Sequence, residues 1–243
     1  MKYFSQTDIG HVRKKNEDHH AIIKNKDNDL LVVLCDGVGG SNAGDIASFE
    51  TVKYFCEVFI ESSNLSDRDR ICDYLKYHIH AVNKEIFSLS TTSKSLKDMG
   101  TTLTGVLITN KYIIGYNLGD SRIYVVDKNN NLVLVSTDHN VKNDLIYNKN
   151  YSEEQANSHP KSTYITKAIG YQYDLQADFY EINNNIKSIL ICSDGLSDHV
   201  NTNIISHILM TNDSISLKVG KLINSALDVG GKDNITVVLL ERE

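Results

Sequence analysis

The 243-residue chain has no excess of basic side chains: 25 Lys and Arg stand against 31 Asp and Glu, a formal net charge of −6. Without a basic footprint, neither a nucleic acid nor an anionic membrane surface is the partner to expect. Long apolar runs are missing too. No window reaches the ~18 uninterrupted apolar residues of a membrane span, and Met1–Lys2–Tyr3–Phe4–Ser5–Gln6–Thr7–Asp8 holds no stretch of signal-peptide length. The cytosol is the expected address. Cysteine is sparse, and Cys35, Cys56, Cys72 and Cys192 show no Cys-x-x-Cys spacing, which excludes a structural zinc site and leaves them as small reduced core residues. Low-complexity linkers and internal repeats are absent. With 41% hydrophobic residues the chain can bury a sizeable core, and one domain over residues 1–243 is expected.

What the chain does have is a recurring strand with an acidic end. Leu30–Leu31–Val32–Val33–Leu34–Cys35 runs into Asp36–Gly37–Val38–Gly39–Gly40, the pattern of a buried strand delivering a carboxylate to a Gly-rich turn. Ser188–Cys192 leads to Ser193–Asp194–Gly195, Tyr112–Leu118 leads to Gly119–Asp120, and Asp233–Asn234 opens Ile235–Leu240. One Asp-Gly is turn chemistry; four strands each presenting an aspartate are a ligand set. Helical spacing marks Asp45–Ile60 and a second helix to about Leu89, for which Ser66 and Asp69 suggest a capping box. From Thr102 to Val135 β-branched and aromatic runs predict an antiparallel meander. Asn140–Lys161 is a polar insertion with one helical candidate, Ser152–His159, and two further helices precede the last strand. Strands with helices grouped in pairs between them indicate an α+β sheet sandwich.

Carboxylates, a carbonyl beside glycine and water suit Mg²⁺ or Mn²⁺, and no His/Cys cluster favours a softer metal. Dense aspartates raise one another's pKa unless a countercharge is supplied. Two divalent cations would supply it and would also activate water against a phosphate ester. Arg13, four and five residues before Glu17 and Asp18, provides a guanidinium that matches two phosphate oxygens. Residue types and spacing thus point to a metal-dependent hydrolase with a phosphoester as the favoured substrate.

The motifs Arg13–x–x–Asn16–Glu17–Asp18, Asp36–Gly37–Val38–Gly39–Gly40, Gly100–Thr101–Thr102, Gly119–Asp120–Ser121–Arg122, Asp138–His139, Ser193–Asp194–Gly195–Leu196–Ser197–Asp198 and Asp233–Asn234–Ile235–Thr236 occur in this order. Together they resemble the metal-dependent PP2C-type (PPM) serine/threonine phosphatases, most of all the compact bacterial members, over nearly the whole chain. The resemblance implies a central β-sandwich of two antiparallel sheets flanked by helices on both outer faces, with a flap-like insertion near 140–161. It implies that Asp36 bridges two Mn²⁺ or Mg²⁺ ions, that the Gly37 carbonyl binds one, and that Asp194 and Asp233 hold the other. Glu17 and Asp18 would support the pair directly or through water, Arg13 would receive the phosphate, and Asp120 and Asp198 with Asp194 would bind a third, weaker ion. Catalysis would rest on Asp36, Asp194 and Asp233, with a metal-bridging hydroxide attacking phosphoserine or phosphothreonine and no Ser or Thr nucleophile. The implied partners are phosphorylated proteins and a Ser/Thr kinase whose signal is reversed, with the enzyme a monomer. Three positions depart from the family pattern: Val38 stands where some members carry a histidine proposed to protonate the leaving group, Lys167 stands where Arg is usual, and Asn140–Asn150 lacks the common glycine and apolar pattern.

Overall fold

In the computed structural model, residues 1–39 and 43–242 are described; Gly40, the last residue of the Asp36–Gly40 motif, lies outside them. Along the chain, β1 (Lys2–Asp8), β2 (Asp18–Lys24) and β3 (Leu30–Val38) lead into α1 (Gly44–Ile60) and α2 (Arg68–Ser90). Then come β4 (Gly100–Thr101), β5 (Leu103–Ile108), β6 (Ile113–Leu118), β7 (Arg122–Asp127) and β8 (Leu132–Leu134). After α3 (Val141–Lys149) and α4 (Glu153–Asn157) follow β9 (Asp178–Glu181), β10 (Ile186–Cys192), α5 (Asp194–Ser197), α6 (Thr202–Leu209), α7 (Ile215–Asp228) and β11 (Ile235–Glu241).

The strands form two antiparallel sheets, one ordered β1-β11-β10-β7-β8 and the other β2-β3-β5-β6-β9 with β4 paired to the end of β3. Residues Leu30 to Cys35 of β3 are buried on both faces, and the period of two divides them between two layers. Leu30, Val32 and Leu34 meet Ile189, Ile191, Val238 and Leu240 between the sheets. Leu31, Val33 and Cys35 face outward to Phe55 and Phe59 of α1 and to Ile71, Leu75 and Ile79 of α2. On the opposite outer face, Leu190, Val237 and Leu239 pack under Ile205 and Ile208 of α6 and Val219, Leu222 and Ile223 of α7. The result is the expected sandwich with helices on both sides. The four cysteines are free thiols.

Three local expectations need correction. The run from Thr102 to Val135 is two hairpins rather than one meander: β5 pairs with β6 and β7 with β8, but β6 and β7 lie in opposite sheets. The chain crosses between layers at Gly119–Asp120–Ser121, where Gly119 takes φ +117°, a conformation that an L side chain resists. The cap of α2 is Asp67, whose carboxylate accepts from the Arg70 N–H at 3.0 Å, while Ser66 only donates to Asp67. The 140–161 segment contains two helices. The unforeseen one, α3, is capped by Asn140 and buries only Leu145, so it has no apolar stripe for sequence periodicity to reveal.

Candidate metal centre

Antiparallel register decides which strand ends meet at one edge of the sandwich. Asp18 is the direct cross-strand partner of Asp36, and like charges so placed repel. In the other sheet Cys192 lies between Arg122 and Val237, so the segments carrying Asp120, Asp194 and Asp233 leave the sheet side by side. A β-carbon on Gly195 would come within 2.0 Å of the Asn234 carbonyl; only glycine lets the Asp194 turn lie against the Asp233 loop. Gly37 is similarly constrained, since an added β-carbon would lie 2.4 Å from the Gly44 carbonyl in the first turn of α1.

Two threonines fix the backbone of Asp36. Its N–H donates to Thr102 Oγ1 (2.9 Å), and its carbonyl accepts from the Thr102 N–H (2.8 Å) and the Thr101 hydroxyl (2.9 Å). Asp18, only 4% exposed, is satisfied on one oxygen: Oδ2 accepts from the hydroxyls of Ser193 (2.8 Å) and Thr236 (2.7 Å), whereas Oδ1 has no partner among the described residues. Oδ1 of Asp120 and Oδ1 of Asp194 are also buried without a partner among the described residues. Such orphaned acceptors are costly. Withdrawal from water, followed by repulsion from neighbouring aspartates, raises Asp120 to about 7 and pushes Asp36 and Asp194 well above the ordinary carboxylate range. Burial raises Asp18 to about 6 against the pull of its two hydroxyl donors. The charges acting on Asp36 are Asp18, Asp194, Asp120 and Asp233, so the structure brings these five sequence-predicted side chains together.

Arg13 joins them. Its Nη2 donates to Asp233 Oδ2 at 2.6 Å with about half of the Arg13 side chain in solvent, and Asp233, then Asp36 and Asp194, raise its already high pKa. Glu17 lies to one side. Its carbonyl accepts from the Gly37 N–H (3.1 Å) and the Ser48 hydroxyl (2.6 Å). Burial and then the Asp45 charge raise the pKa of its carboxylate, while the Asp45 amide at the start of α1 bonds to it. Asp198, at the end of α5, accepts from Arg122 Nη2 at 3.2 Å.

The donor set is all oxygen, several of its oxygens are buried and unpartnered, and its excess negative charge favours protons. Those properties fit a hard divalent cation. Among the described residues, no three His, Cys, Asp or Glu side chains are grouped so as to hold a metal ion as they stand. Sequence reasoning gave no role to Asn234, which holds the Arg13 loop over the site: Nδ2 donates to the carbonyls of Ile9 (2.9 Å) and Lys15 (3.0 Å), and Oδ1 accepts from the Glu17 N–H (2.8 Å). Its place beside Asp233 was the available signal.

Residues 10–216 match the family described as Protein phosphatase 2C. The chain belongs to the protein phosphatase 2C family. This PP2C chain is 34% identical over 238 residues to the serine/threonine phosphatase stp of Listeria welshimeri, covering 98% of this chain and 94% of that protein. It is 28% identical over 235 residues to the protein phosphatase PhpP of Streptococcus pneumoniae, covering 96% and 94%. Among solved structures, the serine/threonine phosphatase of S. agalactiae superposes with a TM-score of 0.93 at 33% identity over 100% of this chain and 99% of that one.

Proposed function

We propose that this PP2C chain is a metal-dependent phosphatase that hydrolyses phosphoserine and phosphothreonine in proteins. The observation that carries the reading is the group of buried aspartates at the strand ends, with raised proton affinity and oxygens that have no partner among the described residues. Asp36, the Gly37 carbonyl, Asp194 and Asp233 would hold two Mn²⁺ or Mg²⁺ ions, with Asp18 and Glu17 behind them, and Asp120 and Asp198 with Asp194 would hold a third, weaker one. When bound, such ions supply countercharge, polarise a phosphate and lower the pKa of water.

The protein's own groups divide the remaining work. Arg13 can exchange its single hydrogen bond to the Asp233 carboxylate for two oxygens of a phosphate group, which a guanidinium matches bidentately. Ser193 and Thr236 are committed to Asp18, and Thr102 Oγ1 accepts from the Asp36 N–H and lies 3.1 Å from Ser121 Oγ. These hydroxyls orient carboxylates and backbone, which supports direct hydrolysis without a phosphorylated Ser or Thr on the enzyme. The enzyme acts in the cytosol as a monomer and opposes a Ser/Thr kinase. The acidic balance of the chain favours protein over nucleic-acid partners.

The test is release of phosphate from a phosphothreonine peptide with Mn²⁺ or Mg²⁺. Activity should vanish with chelator and fall by on the order of 10³-fold in Asp36→Asn and Asp194→Asn. An inert metal-loaded protein would overturn the assignment. A strong preference for a small phosphorylated metabolite would replace the substrate class.

A further inference from the structure

The carboxylates assigned above to the weaker cation, Asp120 and Asp198, sit on two different turns, and one dipeptide between β8 and α3 ties both. Asp138, 8% exposed, receives Arg122 as a fork, with Nε at 3.0 and 3.1 Å from its two oxygens and Nη2 at 2.7 Å from Oδ2. The same guanidinium reaches past Asp138 to Asp198 Oδ1 (3.2 Å) and to the Ser197 carbonyl (3.2 Å). His139, also 8% exposed, grips the residue before Asp120 from both sides. Its N–H donates to the Gly119 carbonyl at 2.8 Å, and the Gly119 N–H donates to its Nδ1 at 3.1 Å. With Nδ1 accepting, the ring proton sits on Nε2, 3.2 Å from Asp178 Oδ2.

The dipeptide is itself anchored. Asn143 Nδ2 donates to the Asp138 carbonyl (2.8 Å), and the Thr166 N–H donates to the His139 carbonyl (2.8 Å). Asp120 is nine-tenths buried with Oδ1 unpartnered among the described residues, so its aim depends on the backbone that carries it.

We propose that Asp138 and His139 are the positioning residues of the outer cation site. Asp138 acts through Arg122 and sets how much of the Asp198 carboxylate is free; His139 acts through Gly119 and sets where Asp120 points. Neutralising Asp138 leaves Arg122 with Asp198 as its remaining carboxylate partner and withdraws that ligand. Removing the Nδ1 acceptor releases the Gly119 amide and loosens Asp120. The inference rests on the outer-cation assignment, and the experiment separates the two.

Calorimetric Mn²⁺ titration is run on the wild-type protein and on Asp120→Asn, Asp138→Asn, His139→Leu and His139→Asn, with hydrogen exchange at the Gly119 amide followed by NMR. Asparagine places Oδ1 near the position of histidine Nδ1 and keeps the acceptor. Asp120→Asn should remove the weaker binding step. Asp138→Asn and His139→Leu should weaken that step by roughly 10- to 100-fold, the usual cost of losing a ligand's supporting partner, and leave the tight steps in place. Gly119 exchange should accelerate in His139→Leu, and His139→Asn should restore both exchange and affinity toward wild type. A merely structural role would weaken tight and weak steps together and would make His139→Asn as poor as His139→Leu. If Asp120→Asn removes the weak step while Asp138→Asn and His139→Leu keep it, the positioning role is overturned and the cation assignment stands. If Asp120→Asn titrates like wild type, the assignment falls and the inference with it. Should His139→Leu fail to fold, Asp138→Asn decides, because it preserves size and shape.

Discussion

At the scale of single residues, Arg13 links the two charge systems of the site. It bonds to Asp233 at 2.6 Å, yet half of its side chain remains in solvent, so the guanidinium can turn outward without rebuilding the loop. Arg13→Lys would keep the charge and lose the planar fork. We expect KM for a phosphothreonine peptide to rise by roughly tenfold, about 1.4 kcal/mol, with a smaller change in kcat; steady-state kinetics at saturating Mn²⁺ measure the split, and an unchanged KM would remove Arg13 from phosphate binding. Asp36, Asp120, Asp194 and Asp233 were legible in the sequence because each closes or opens an apolar run. Asn234 was not, because its partners Ile9, Lys15 and Glu17 lie at the other end of the chain and only folding brings them into reach.

Among elements, the loop joining β1 to β2 shows how a polar segment can be ordered without burying apolar surface. Asn234 alone satisfies two of its carbonyls and one of its N–H groups. Asn234→Ala would leave those groups to find water, and we expect a loss of about 1–3 kcal/mol, read as a lower denaturant midpoint, together with a higher KM because Arg13 rides on the same loop. A variant with wild-type KM would show that Arg13 is placed by other contacts. Periodicity revealed α1 and α2, and helices were also expected at α6 and α7; each of the four has a buried stripe. It missed α3, which depends on the Asn140 cap, and α5, a four-residue turn that exists to aim Asp194. Strand runs were visible in sequence, but their partners were not: a period of two says that β6 and β7 are strands and is silent on which sheet each joins.

For the whole molecule, the aspartate cluster makes stability depend on cations and on pH. Asp18 at about 6, Asp120 at about 7, and Asp36 and Asp194 higher still bind protons in the folded state that the unfolded chain has already released. Stability of the metal-free protein therefore falls as pH rises from near the ordinary value of 3.8 through these raised values. His20 and His139, whose pKa values burial lowers, slope the other way, toward greater stability at higher pH. A bound cation replaces the protons and gains most where they are gone. The rise in Tm caused by Mn²⁺ should therefore be small at about pH 5 and reach several degrees by about pH 8; a rise that does not change with pH would argue against these carboxylates as the ligands. The sandwich that positions them was foreseeable from strand and helix grouping, whereas the order of strands that brings five aspartates to one edge is a property of the fold. The most direct measurement is anomalous diffraction from crystals grown with Mn²⁺. Two strong peaks between Asp36, Asp194 and Asp233, with Arg13 turned from Asp233 toward solvent or phosphate, are the predicted result. No peak there, or peaks bound only to surface carboxylates with the Arg13–Asp233 pair intact, would contradict it.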